Sequence, residues 1–154
     1  MLAAGAAPPI LVGTDFSDGA WTALRRARWL ADRSSLRVKL VHVVERGGTA
    51  DPAARAGWLD RAGLEVEAVE IRHGQAWLEL ARAAMSHDAA ALVVGSHGRS
   101  GLQLVELGST ASRVSLVAPC PVIVIGPRAQ EWPAGGTGRD TQLSHEIEQG
   151  VGDA

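Results

Sequence analysis

An α/β fold, a doubly wound open parallel sheet in a single domain, is the architecture this sequence predicts, and three observations predict it. Short apolar runs alternate along the chain with segments of helical period. Two of those runs, residues 90–95 and 121–125, carry no polar side chain, as strands covered on both faces do. A length of 154 residues suits one packed core, which such a sheet builds with right-handed crossovers.

The elements follow in order. Residues 10–13 (Ile-Leu-Val-Gly) read as a first strand, and Ser17 is placed to cap the helix that follows. Ala20, Ala23, Leu24, Ala27, Leu30 and Ala31 form a helical stripe, and Ser34-Ser35 punctuates it. Residues 36–44 end in Val41-His-Val-Val44, a second strand rich in β-branched side chains. Pro52 opens a short helix carrying Trp58 and Leu59, which Gly63 closes. A third strand is expected over residues 64–72, with a phase shift in its alternation between Ala68 and Val69. After Gly74, the positions Trp77, Leu80, Ala81, Ala84 and Met85 fit the apolar face of a helix. Residues 90–95 are the fourth strand, 109–117 a helix with Val114 and Val117 on one side, and 121–125 the fifth strand. From Pro127 onward glycines and prolines break any period, so residues 127–154 are expected to be a flexible tail, with one short helical piece at 141–148. Residues 1–8 read as an N-terminal extension and 9–126 as the domain.

Composition narrows the function classes. Fifteen basic against seventeen acidic residues, with no basic run, exclude the electrostatic footprint of a nucleic-acid binder or an anionic-membrane binder. No apolar stretch is long enough to span a bilayer, and the N-terminus lacks the pattern of a signal peptide. Cys120 is the only cysteine, which rules out an intramolecular disulfide and suits a reducing cytoplasm. His73, His87 and His145 show no metal-ligand spacing. Lys39 is the only lysine, so phosphate binding here must do almost without that side chain.

The segment that carries chemistry is Val93-Val-Gly-Ser-His-Gly-Arg-Ser-Gly-Leu-Gln-Leu-Val-Glu-Leu-Gly-Ser109. Its spacing is a glycine, two residues, a glycine, nine residues, then Gly108-Ser109, a pattern expected by chance about 0.02 times in a chain of this composition. Glycine lets backbone N–H groups approach a ligand, and Gly108-Ser109 opens a helix whose first N–H groups suit phosphate oxygens. The segment lies outside the carboxyl end of the fourth strand, where open α/β sheets bind ligands, and Asp15 faces it from the end of the first strand. Neither a Walker A loop nor a dinucleotide fingerprint is present.

With these segments in their order, together with Leu40-Val-His-Val-Val44 and Ala118-Pro-Cys-Pro-Val-Ile-Val124, the chain resembles the universal stress protein family, in its nucleotide-binding branch, over about residues 9–126. The resemblance implies a five-stranded sheet in the order 3-2-1-4-5, binding of ATP or a related adenine nucleotide (AMP or ADP), and a role in stress response or signalling. It also implies a homodimer through the last strand, Val122 to Ile125. Carried over by position, Asp15 resembles the family's ribose or adenine contact and Val43 the residue whose backbone meets adenine. Val94, Gly95, His97, Gly98, Gly108, Ser109 and Thr110 resemble the cradle for ribose and phosphates. Mg²⁺ or Mn²⁺ is expected to bridge those phosphates. No general base stands beside the glycine-rich segment, so catalysis is expected to amount at most to slow ATP hydrolysis. The alternative from another class is a regulatory or scaffolding dimer with an empty pocket, acting on protein partners through its tail. His42 is expected to be a satisfied buried histidine, and Trp21, Trp29, Trp58 and Trp77 to be packing residues.

Overall fold

The computed structural model describes residues 7–48, 52–65, 68–97 and 107–131. Its centre is β1 (Ile10–Gly13), which pairs in parallel with β2 (Val38–Val44) on one side and β4 (Ala91–Gly95) on the other. The edges are β3 (Val69–His73) beside β2 and β5 (Val122–Ile125) beside β4, giving the order β3-β2-β1-β4-β5. Strand alternation sends Ile10 and Val12 to one face and Leu11 to the other. On the first face α1 (Asp18–Ser34) and α2 (Pro52–Ala62) bury Ala23, Leu24, Ala27 and Leu59 against Ile10, Val12, Leu40 and Val93. On the second, α3 (Ala76–Ser86) and α4 (Ser109–Val117) bury Leu80, Ala83, Ala84, Ala111 and Val114 against Leu11, Val41, Leu92 and Val94. Because all five strands run the same way, the N-termini of α1, α3 and α4 gather at one edge of the sheet.

Local chemistry explains most boundaries. The Ser17 hydroxyl accepts from the Ala20 N–H at 3.2 Å, and α1 stops where Ser35 enters the left-handed region at φ 53°. Gly63, at φ 65°, ends α2, and the Leu64 N–H closes back onto the Leu59 carbonyl at 3.0 Å.

That closure corrects the expected third strand. Leu64 belongs to the helix stop and Ala68 to a turn in which its N–H bonds Glu65, so the strand begins only at Val69, where the alternation changes phase. Two helix ends also differ from expectation. Met85 is 70% exposed and Val117 48% exposed, whereas Ala83 is fully buried. Because α3 packs on both the sheet and α4, its buried arc is rotated toward Ala83 and leaves Met85 outside. Burial pushes the Cys120 thiol above its ordinary range, which favours an inert thiol. The segment after β5 begins with a short 3₁₀ helix, Pro127–Glu131, packed against α1. The helical piece expected at 141–148 lies outside the described residues.

Edge strand β3 is tied to its neighbours by a charge cluster. The Glu70 carboxylate receives Arg72 Nε at 2.7 Å, His87 Nε2 at 2.6 Å and Lys39 Nζ at 3.3 Å. Burial alone would raise the Glu70 carboxyl, but the bonds from Arg72, His87 and Lys39 outweigh it and lower it to about 2. A depressed carboxyl stabilises the fold above its unfolded value near 4.5 and loses that contribution as pH falls toward 2. Glu70→Gln is therefore expected to cost about 1 kcal/mol at pH 6, after solvent screening. In paired thermal melts the gap between wild type and variant closes between pH 4.5 and 2; a gap constant across that range contradicts this account.

Candidate functional site

At the carboxyl edge of the sheet lies a pocket of about 320 Å³, within the range of small-molecule sites. Asp15 lines it from the β1 end, Val43 from β2, Val94 and Gly95 from β4, His97 from just beyond β4, and Gly108, Ser109 and Thr110 from the start of α4. Eight of the nine residues singled out in the sequence thus meet around one cavity, and Gly98 lies outside the described residues.

Its positive potential comes from backbone, while Asp15 and Glu45 add carboxylates to the lining. Gly108 caps α4 without any side-chain bond, and the first helical bond is made by the Ser112 N–H to the Gly108 carbonyl at 3.0 Å. The N–H groups of Ser109, Thr110 and Ala111 therefore precede the helical ladder and stand at the pocket wall. Ala20 of α1 and Ala76 of α3 line the same cavity, so three helix N-termini direct their positive ends toward it. Of these, the α4 start carries no side-chain cap, whereas Ser17 caps α1 and the Glu45 carboxylate caps α3, so the gain for an anion comes from α4, without any lysine.

Close backbone packing holds the cradle together. A Cβ built at Gly19 would meet the His97 carbonyl oxygen at 2.6 Å, and one at Gly108 would meet the Ser96 carbonyl oxygen at 3.0 Å. A Cβ at Gly95 would come within 3.1–3.3 Å of the Gly19 and His97 backbones. The Gly108 N–H donates to the Ser96 carbonyl at 2.7 Å, which locks the α4 start onto the end of β4. These glycines bring three segments of main chain into contact, and that contact shapes the pocket floor. Gly19 was not recognisable from the sequence because its partner, His97, is remote along the chain; the one signal was a glycine in the first turn of a helix, where it has no obvious use.

The loop bearing Asp15 is equally well fixed. Thr14 Oγ1 accepts from the Phe16 N–H and Asp15 Oδ1 from the Ser17 N–H, each at 3.0 Å. These turns carry Phe16 through φ 60°, a conformation that bulky side chains rarely adopt. Aromatic contacts stabilise it: the Phe16 ring lies 4.6 Å from His42 and 5.5 Å from Trp58, and Trp58 lies 5.7 Å from Trp21. Trp58 Nε1 donates to the Ser17 carbonyl at 3.1 Å. His42 Nδ1 lies 2.7 Å from the Thr14 carbonyl, an acceptor only, so the proton sits on Nδ1. His42 is thus a satisfied buried histidine, as expected, and its work is to hold the loop that presents Asp15. None of Trp21, Trp29, Trp58 and Trp77 is among the pocket residues.

His97 Nδ1 is 2.8 Å from Ser96 Oγ, whereas its Nε2 is buried with no hydrogen-bond partner among the described residues. Such an atom is costly to leave unpaired and is suited to a ligand oxygen. Glu45 is the side chain that sequence reasoning missed: it lines the pocket and accepts from the Ala76 N–H at 2.9 Å, capping α3 from another element. Gln75, the local cap position, makes no side-chain cap bond, so only the fold reveals the substitute.

Residues 7–126 match the sequence model of the Universal stress protein family. The chain belongs to this family. A universal stress protein of Mycolicibacterium smegmatis is 33% identical over 138 residues, covering 78% of this chain and 46% of that protein. The chain therefore spans about half the length of that curated relative. Among solved structures, universal stress protein UspA from Lactobacillus plantarum is 26% identical, covers 79% of this chain and 99% of its own, and has a TM-score of 0.60. A universal stress protein in complex with cAMP is 27% identical over 79% of this chain and 98% of its own, at a TM-score of 0.57. A third, from Archaeoglobus fulgidus, is 28% identical over 77% of this chain and 98% of its own, also at 0.57. On this universal stress protein domain, no helix among the described residues is long and apolar enough to cross a membrane.

Proposed function

We propose that this universal stress protein binds an adenine nucleotide, ATP or its AMP or ADP relatives, in the pocket between Asp15, Val43 and the start of α4. The observation that carries the reading is the uncapped N-terminus of α4, with Ser109 and Thr110 at the wall of a cavity edged by Gly95, His97 and Gly108. In this reading the phosphates lie on the Ser109 to Ala111 N–H groups, the Ser109 hydroxyl and His97 Nε2. Asp15 accepts from ribose hydroxyls across the cavity, and the base rests near Val43. A relative of 27% identity in complex with cAMP supports this class of ligand. Among the described residues no group of three His, Cys, Asp or Glu side chains could hold a metal ion. Mg²⁺ or Mn²⁺ therefore enters the proposal only as an ion carried by the phosphates. The function is recognition of the nucleotide in a cytoplasmic stress or signalling role. Heating freshly purified protein and identifying the released small molecule by mass spectrometry tests this: an adenine nucleotide near one per chain is expected, and a different class of ligand contradicts the assignment.

The proposal includes a homodimer through β5. The Leu92 N–H bonds Pro121 and the Ser96 N–H bonds Ile125, so residues 121, 123 and 125 face β4 while Val122 and Val124 turn their N–H and C=O groups to the open edge. Leu116, 84% exposed, and Val117 extend an apolar surface from the adjacent end of α4. Val124→Pro removes an outward N–H and leaves the β4 ladder in place. It is expected to convert a dimer to a monomer in sedimentation velocity with an unchanged fold by circular dichroism; a variant that remains dimeric contradicts pairing at this edge.

A further inference from the structure

Phosphate oxygens only accept hydrogen bonds, so a histidine that meets them in the proposed pocket has to be a donor. A neutral imidazole carries one proton, and the group bonded to one ring nitrogen decides which of the two holds it. In His97 the free atom is Nε2, buried and without a hydrogen-bond partner among the described residues. Whether Nε2 is a donor or a second acceptor therefore depends on what Nδ1 meets, and Nδ1 meets the hydroxyl of the preceding residue, Ser96.

Ser96 is 6% exposed, and its main chain is held on both sides. Its N–H donates to the Ile125 carbonyl at 2.8 Å, and its carbonyl accepts from the Gly108 N–H at 2.7 Å. Its Oγ lies 2.8 Å from His97 Nδ1, the one hydrogen-bond partner of this hydroxyl among the described residues. The two proton placements differ in what they leave unpaired. With the ring proton on Nδ1, that N–H donates to Oγ, and both the hydroxyl proton and the Nε2 lone pair go without partners. With the ring proton on Nε2, the hydroxyl donates to Nδ1, and only the Nε2–H is left. Buried polar groups are costly to leave unpaired, so the second placement is favoured, and a ligand oxygen at the pocket wall completes it. His42 shows the opposite arrangement in the same protein: its Nδ1 meets the Thr14 carbonyl, which cannot donate, and its proton stays on Nδ1.

We infer that Ser96 is a positioning residue for the pocket's ligand: its hydroxyl donates to His97 Nδ1, which holds the ring proton on Nε2 and presents that N–H as a donor to a phosphate oxygen. The identity of the ligand rests on the nucleotide reading above, whereas the proton placement belongs to the ligand-free protein and is measured without it. Long-range 1H–15N correlation spectra of the 15N-labelled full chain at about pH 8 read that placement, since protonated and bare ring nitrogens differ widely in shift. His42 supplies the Nδ1–H reference in the same spectrum, and the His97 signals are assigned by their loss in His97→Gln. Wild type is expected to show His97 with its proton on Nε2, and Ser96→Ala to move the Nδ1 resonance as the hydroxyl bond is lost. In calorimetric titration, Ser96→Ala is expected to weaken ATP binding by about fivefold in the wild-type background and by less than about twofold in His97→Leu, because Ser96 acts through the ring. A His97 proton on Nδ1 overturns the inference. So does a Ser96→Ala change that leaves ATP affinity intact, or one equally costly in both backgrounds, which would give Ser96 a role apart from His97. Absence of ATP binding with the Nε2 proton in place overturns the nucleotide reading and leaves the Ser96 to His97 proton placement confirmed. The wild-type spectrum needs no variant to fold and decides the placement by comparison with His42.

Discussion

Ser109→Asp is expected to lower nucleotide affinity by at least about 100-fold while leaving the fold as stable as wild type or slightly more so. An aspartate at the first position of α4 complements the helix dipole, a gain of about 0.3–1 kcal/mol, and α4 has no acidic residue in its first turn to compete with it. The same carboxylate stands where phosphate oxygens are proposed to bind. Two unit negative charges about 4 Å apart repel by about 4 kcal/mol at an effective dielectric of 20, more than enough for the stated loss. Stability and binding therefore move in opposite directions, which separates a ligand role for the α4 N-terminus from a purely structural one. Calorimetric titration beside thermal melting checks it; undiminished affinity in the variant removes the α4 N-terminus from the phosphate site.

Gly19→Ala is expected to destabilise the protein by about 1–3 kcal/mol and to weaken nucleotide binding with it. On helix propensity alone the change should help by about 1 kcal/mol, because alanine favours helix over glycine. The fold reverses the sign: the new Cβ would sit 2.6 Å from the His97 carbonyl oxygen, a backbone atom that cannot rotate away. Relief requires α1 to retreat from the end of β4, which carries His97 and the Ser96 carbonyl that holds Gly108. Denaturant melts read the stability change, and an alanine variant as stable as wild type would show that the α1 to β4 contact is looser than described.

What was legible in the sequence was whatever depends on neighbours along the chain. The Gly95 to Ser109 spacing, the Ser17 cap and the apolar strands are of that kind, and Asp15 and Val43, the latter singled out only through the family resemblance, line the same pocket as that segment. Register in the third strand was harder, since Leu64 satisfies an alternating pattern equally well while serving as the stop of α2. Met85 fits an ideal helix face but not the arc that α3 buries once α4 packs beside it. Glu45, Gly19 and His42 act on Ala76, His97 and Thr14, partners distant in sequence. A glutamate at a strand end or a glycine in a first helical turn carries no label until the crossovers bring its partner alongside.

The most direct test of the central proposal is isothermal titration of the wild-type chain with ATP. Binding at the pocket predicts a saturable isotherm near one nucleotide per chain, with a dissociation constant in the micromolar to millimolar range typical of such pockets. A flat titration up to millimolar ATP, with the melting transition intact and no nucleotide carried through purification, would contradict it.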